Sequence, residues 1–302
     1  MIPLVEGVVR LAMWLLIAPL LPGVINRVKA WVAGRRGPPV FQLYYDLAKL
    51  WRKGVVLSTT ASPAFVVAPA VAWVGVVVAA MLMPLCGLGL GVGFKGDALL
   101  FLYLLAMARF CTAWAAMETG SAFEGMGVVR ELSYAILSEA SLMTAVLALG
   151  IQTGTLSMAG MLVPSTGAGA VLLAVGLFTV LLAENSRVPF DDPDTHLELT
   201  MVHEVMILDH SGPILAAALH GASVKLMLFA VFLIQATIPL EALGQGLGLV
   251  VLIGGVFGVA VSVGVIESFM ARLAFRRVPL LLVTALLLCV FALLVAWKGG
   301  AA

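Results

Sequence analysis

The sequence predicts an all-α, polytopic integral membrane protein of about eight transmembrane helices, with a short amphipathic helix along one membrane surface. Three observations carry that prediction. Hydrophobic residues make up 62% of the chain and charged residues 11%, less than half the roughly 25% charged residues of an ordinary soluble domain. The apolar residues arrive in blocks of roughly 20, the length that crosses a ~30 Å hydrocarbon layer at about 1.5 Å per residue. Lys and Arg collect in alternate loops, twelve on one side against two on the other.

The first expected span, 3–25, carries Glu6 and Arg10. It lacks the basic start and small-residue cleavage site of a signal peptide, so it is expected to be retained. The loop after it holds Arg27, Lys29, Arg35, Arg36, Lys49, Arg52 and Lys53. Within that loop, residues 41–53 repeat at helical spacing: Phe41, Tyr44, Leu47, Ala48 and Trp51 on one stripe, Gln42, Asp46, Lys49 and Lys53 on the other. Such a helix lies along the interface with its aromatics at headgroup depth, and Pro38 and Pro39 set its start.

The remaining spans are expected at 64–86, 97–117, 132–151, 167–184, 214–236, 245–268 and 278–297. Arg130, Arg187, Arg272, Arg276 and Arg277 fall in loops on the same side as the first loop, while Lys95 and Lys298 fall opposite. By the positive-inside rule the four charged loops face the cytoplasm and both termini face outward. No internal repeat and no linker divides the chain, so 1–302 reads as one transmembrane domain.

Several function classes drop out. A net charge of +1 gives no argument for nucleic acid. Cys86, Cys111 and Cys289 lie in separate apolar blocks without pairing or metal-ligand spacing, and iron–sulfur ligation needs clustered thiolates. A Gly-rich phosphate loop and a nucleophile elbow are missing from the sequence. The chain is therefore expected to carry no redox centre, metal or cofactor of its own.

What remains are ionisable residues inside spans, which cost several kcal/mol each at mid-membrane and so need partners or a purpose. Besides Glu6 and Arg10 they are Arg109, Glu139, His220, Lys225 and Glu267. Arg109 and Glu118 read as flanking the cytoplasmic end of the third span, where snorkelling is cheap. Glu139 and Lys225 lie deeper; helix-packing ion pairs and a proton path or internal cavity are the two readings.

The densest signal is residues 184–213. Seven acidic residues crowd it, Glu184, Asp191, Asp192, Asp194, Glu198, Glu204 and Asp209, together with His196, His203 and His210 at intervals of seven. A metal site from His and carboxylates is conceivable, but the close His-x-x-x-His pair is absent, and a solvated charged loop is the plainer alternative. Apolar residues threaded through it (Val188, Phe190, Leu197, Leu199, Met201, Val202, Val205, Met206) point to packing against another protein or a half-buried cavity.

This loop resembles the acidic fifth-to-sixth helix loop of the subunit 1 family of respiratory complex I (NADH-quinone oxidoreductase), which is shared with the group 4 membrane-bound NiFe hydrogenases. Glu184, Arg187, Pro189, Phe190, Asp191, Pro193, Glu198 and Leu199 match the family pattern, Asp194 stands for its Glu, and Asp209-His210-Ser211-Gly212 stands for Glu-Tyr-Ser-Gly. His196 replaces a carboxylate. Arg35-Arg36-Gly37-Pro38 followed by Gln42, Asp46 and Lys49-Leu50 resembles the family's first cytoplasmic segment, and Arg130 followed by Glu139 resembles its fourth span. The short stretch from Pro38 to Gln42, with Glu118-Thr119-Gly120-Ser121, Arg130-Glu131-Leu132, Lys225, and Glu267 with Ala271-Arg272, is closest to the formate hydrogenlyase and hydrogenase-4 branch.

The resemblance implies a membrane-anchor and proton-coupling subunit of a group 4 hydrogenase-type oxidoreductase in a prokaryotic inner (plasma) membrane. It implies peripheral partners bearing iron–sulfur clusters, with a NiFe centre on a hydrogenase-like large subunit, and antiporter-like partners within the bilayer. The expected proton path runs through Glu139, Glu184, Asp191, Asp194, Glu198, Lys225 and Glu267, with Arg109 and Lys225 setting which carboxylate is charged. The expected docking surface for the arm is Arg35, Arg36, Gln42, Asp46, Arg130, Glu131, Arg187, Glu204 and Asp209. An alternative makes the complex a quinone reductase, with a headgroup cavity near Arg36 and Glu131; the short first loop and His196 argue against it. A stand-alone ion transporter is the alternative of another class, and the missing repeat argues against that.

Overall fold

A computed structural model of the chain describes residues 2–58, 61–85, 93–162, 167–191 and 201–300. The described residues form helices α1 (Ile2–Ile17), α2 (Leu20–Val32), α3 (Gln42–Trp51), α4 (Pro63–Leu82), α5 (Asp97–Glu118), α6 (Ala122–Thr153), a single turn α7 (Met158–Met161), α8 (Ala168–Glu184), α9 (Gly212–Thr237), α10 (Gln245–Phe269) and α11 (Val278–Gly300). Seven stretches among them are long and apolar enough to cross a bilayer, and α8, at 17 residues, is the shorter eighth. The protein is a polytopic integral membrane protein built from helices.

The first span departs from expectation. Instead of one helix over 3–25, α1 stops at Ile17 and α2 runs on to Val32. The cause is Pro19, which has no N–H to give and whose ring crowds the carbonyl four residues back. That carbonyl, on Leu15, faces the ring Nε2 of His220 at 3.1 Å. The next one, on Leu16, accepts from the Tyr44 hydroxyl. Backbone acceptors exposed by a break inside a membrane protein need such partners, because no water supplies them. The break therefore ties α1 to both α9 and α3.

The amphipathic helix forms as α3, but the expected aromatic stripe divides. Leu47 is buried and Tyr44 turns toward α1, while Phe41, Tyr45 and Trp51 stay exposed. α3 packs on α9 and touches α2. Gln42 donates to Asp46 one turn on, at 3.1 Å. Close approach fixes where the chain enters α3: a Cβ on Gly23 of α2 would lie 2.0 Å from the carbonyl oxygen of Val40.

Helix ends follow local rules. Ser62 accepts from the Ala64 N–H at 3.2 Å ahead of Pro63 at the first turn of α4. Gly154, at φ +68°, ends α6 in the left-handed conformation that a side chain disfavours. α9 is the central helix: Val224 and the run from Leu226 to Ala236 are buried throughout, as expected for a helix apolar on every face. Around it, α4 pairs with α5 and α9, α10 with α2 and α9, and α11 with α6 and α8.

Candidate functional site

Four helices direct charged side chains to one point. Arg109 comes from the middle of α5, Glu131 and Glu139 from α6, Glu184 from the last residue of α8, and Lys225 from the middle of α9. Sequence position alone predicts that Arg109 snorkels at the end of the third span; instead its side chain is 6% exposed and turns into the bundle. Its guanidinium donates through Nη2 to both oxygens of Glu184 and through Nη1 to Glu139. Its Nε lies 3.7 Å from Glu131. Two-pronged pairing of this kind exploits the planar fork that Lys lacks. Glu184, 1% exposed, also meets Lys225 Nζ at 2.9 Å and accepts from the Ser138 hydroxyl at 2.7 Å.

Two cations thus serve three carboxylates, leaving one negative charge in excess when all are ionised. Glu139 is the outlier in burial: its side chain is 47% exposed on a face otherwise presented by Tyr103, Phe110, Ile136 and Met143. An ionised carboxylate facing hydrocarbon is expensive, so this face calls for a polar partner or a bound proton.

The cluster separates two cavities. One, of about 90 Å³, is lined on the loop side by His203 and His210 and deeper by Glu131, Arg109, Glu184 and Lys225. The other, of about 100 Å³, lies between α5 and α6 and is lined by Tyr103, Met143, Glu139, Arg109 and Glu184. Arg109 and Glu184 line both, so their ion pair is the partition. A third space of about 20 Å³ runs from Glu184 and Ser138 to Asp191. The first cavity extends from His203 and His210 to Glu184, the last residue of α8, a helix of 17 residues or about 25 Å at 1.5 Å per residue.

The other expected residues fall into separate groups. Asp191 is buried, 3.1 Å from Arg272, and accepts from the N–H groups of Val202 and His203. Arg130 donates to the Met201 carbonyl at 2.9 Å and lies over the Phe275 ring. These contacts clamp the returning end of the acidic loop onto α6. Glu267, fully buried, meets Lys29 at 3.2 Å and Arg187 at 3.5 Å, so the structure places it in a second cluster and does not bring it to Arg109. Glu131, expected with the docking residues, belongs to the Arg109 cluster. Arg35, Arg36 and Asp209 are exposed, Gln42 and Asp46 are half-buried on α3, and Glu204 opens a 3₁₀ turn. Asp194, Glu198 and His196 lie outside the described residues, as do Cys86 and the side chain of Glu6. Among the described residues no three His, Cys, Asp or Glu side chains gather as a metal site.

Three further arrangements were not expected from the sequence, although His210 and His220 stand out in it. Glu124 at the start of α6 is buried, accepts from the Thr119 hydroxyl, and takes the Asp209 N–H at 3.3 Å; its place three residues after Ser121 was the available signal. Trp73 donates its ring N–H to His220 Nδ1 at 2.9 Å. Because indole only donates, Nε2 carries the histidine's proton and donates to Leu15. His210 is buried in the loop, and desolvation holds its imidazole down to about 4 against the opposing pull of Asp209.

The profile of the NADH dehydrogenase family matches residues 5–298. Hydrogenase-4 component C of Escherichia coli K12 is 32% identical over 234 residues, covering 74% of this chain and 72% of that protein. Formate hydrogenlyase subunit 4 of the same organism is 29% identical over 292 residues, 92% of each. A chain of the membrane-bound sulfane sulfur reductase, an archaeal respiratory membrane complex, superposes with a TM-score of 0.80 at 17% identity, over 97% of this chain and 100% of that one.

Proposed function

The chain belongs to the NADH dehydrogenase family, and from that membership we propose that it is the membrane-anchor and proton-coupling subunit of a group 4 hydrogenase-type oxidoreductase. Its Arg-rich end faces the cytoplasm and docks a peripheral arm that carries the iron–sulfur chain and a NiFe centre. Electron transfer in that arm moves the loop 184–213, whose described turn at Glu204–Ile207 lies against α5 and α6. Protons pass from the loop through the first cavity to Glu131 and Glu184, cross the Arg109 partition, and leave through Glu139 to an antiporter-like subunit on the α5–α6 face. Two relatives named as hydrogenase-4 and formate hydrogenlyase components support this branch over a quinone reductase.

The observation that carries the reading is the partition itself: one arginine holds carboxylates that line two cavities. Neighbouring carboxylates in a low-dielectric site cannot all ionise at once, so a small shift of Arg109 relocates a proton between them. The excess negative charge means that one proton can be held without breaking either cationic contact.

Glu139→Gln is expected to leave assembly and electron transfer intact and to abolish ion movement. The check is ion uptake per electron in vesicles holding the whole complex. An unchanged ratio removes Glu139 from the path, and a wild-type complex that moves no ions sinks the coupling role altogether.

A further inference from the structure

His220 has both ring nitrogens committed, to Trp73 and Leu15. His210 is different. It is 4% exposed, and neither Nδ1 nor Nε2 meets a hydrogen-bond partner among the described residues. Its ring stands edge-on to Phe65, with centroids 4.4 Å apart and planes at 81°.

The backbone around it is held firmly. The His210 N–H donates to the Ile207 carbonyl at 3.2 Å. Ser211 Oγ accepts from the Val56 N–H at 2.8 Å and donates to the Val56 carbonyl at 3.1 Å. Gly212 follows at φ +55°, where a Cβ would stand 2.7 Å from the Gly54 carbonyl oxygen. The ring's place is therefore fixed by its backbone and by Phe65, and its nitrogens take no part in holding it. Buried polar atoms in native proteins are paired, with protein or with ordered water. His210 lines the cavity of about 90 Å³ together with Arg109, Glu131, Glu184 and Lys225, the nearest space from which water could reach the ring. The cavity wall is largely apolar, with these charged groups set into it, and there is room for several water molecules.

We propose that His210 is the proton relay that loads this cavity from the loop side, an inference that rests on the proton-coupling role proposed above. The neutral imidazole accepts an excess proton from a protonated water chain on one ring nitrogen and releases the proton of the other, by way of cavity water, to the carboxylate of Glu131 or Glu184. One N–H bond forms as another breaks, and the ring ends in the opposite tautomer with its charge restored. A side chain that is donor and acceptor at once suits that task. Its surroundings give the direction. Arg109 and Lys225 lie deeper in the cavity and repel a stationary charge, while Glu131 and Glu184 attract the proton. Half-buried His203 lines the same cavity, and exposed Asp209 is next in the chain, its N–H taken by Glu124. Because burial keeps the imidazole neutral near pH 7, it passes protons on and does not store them.

The test uses the complete complex in vesicles, reading ion movement and electron transfer together. His210→Phe preserves the packing on Phe65 and offers no nitrogen, so ion movement is expected to fall on the order of tenfold or more with the subunit still assembled. His210→Gly is expected to recover with added imidazole, in proportion to the neutral form of the additive, which a purely structural role would not produce. Wild-type ion movement in His210→Phe overturns the relay whatever the glycine variant does, as does an assembled His210→Gly complex that imidazole fails to rescue. If wild type moves ions and His210→Phe matches it, only the relay fails; if wild type moves none, the coupling role fails first.

Discussion

Arg109→Ala is expected to cost the subunit on the order of 3–5 kcal/mol, the penalty of leaving partners of a buried ion pair uncompensated. Among the described residues Glu184 would keep Lys225 and Ser138, and Glu131 and Glu139 would lose their cation. The cluster's excess negative charge would rise from one to two. The measurement is the amount of subunit retained in the purified complex and its thermal unfolding in detergent. Arg109→Lys keeps the charge but loses the fork, so it is expected to fall between. Adding Glu184→Gln to Arg109→Ala brings the excess back to one and is expected to restore part of the loss, a coupling that a double-mutant cycle reads directly. An Arg109→Ala complex as stable as wild type would dismiss the network as the organiser of these four helices.

The second large effect is expected at Gly23. A methyl group there would sit 2.0 Å from the Val40 carbonyl oxygen and 2.8 Å from its carbon, and a backbone carbonyl cannot swing aside as a side-chain tip can. Overpacking of this sort costs about 1–3 kcal/mol or more. The strain would fall on the segment leading into α3, so Gly23→Ala is expected to weaken retention of the peripheral arm as well as stability. Gly246, near the start of α10 with nothing within 4 Å of its added Cβ, is the control: alanine there is expected to change stability by less than about 0.5 kcal/mol. Equal behaviour of the two variants in a thermal-shift and pull-down comparison would contradict the close approach of α2 and the α3 lead-in.

Much of the fold is legible in the sequence because hydropathy reports length. The apolar blocks at 97–117, 214–236, 245–268 and 278–297 form helices α5, α9, α10 and α11 with ends within a few residues. The break at Ala18 and Pro19 is visible as a proline yet lost inside an apolar run, since hydropathy does not register a missing N–H. What hydropathy cannot supply is rotation about a helix axis. The expectation that Arg109 snorkels at the rim overlooks its place near the middle of α5; there, about one-third of a turn decides whether a side chain faces lipid or the bundle interior. For the same reason Glu267 and Glu139, both acids within spans, look alike in sequence: one meets Lys29 and Arg187, the other Arg109. Glu131, set beside Arg130 in sequence, points to a different cluster because neighbours on a helix diverge by about 100°.

The brevity of α8 has an electrical consequence. With about 25 Å of helix in a layer of ~30 Å, the cavity that reaches Glu184 would, when filled with water as the proposed path requires, carry the potential of the aqueous phase part of the way in. The field then falls across a thinner dielectric, concentrated between that floor and the far surface. On the proposed path, a charge displaced near Glu184 or Glu139 would work against a steeper gradient than its geometric travel implies, up to about 2.3 kcal/mol per 100 mV for a full crossing. Membrane voltage would thus brake the step past Arg109 more strongly than the loading of the cavity.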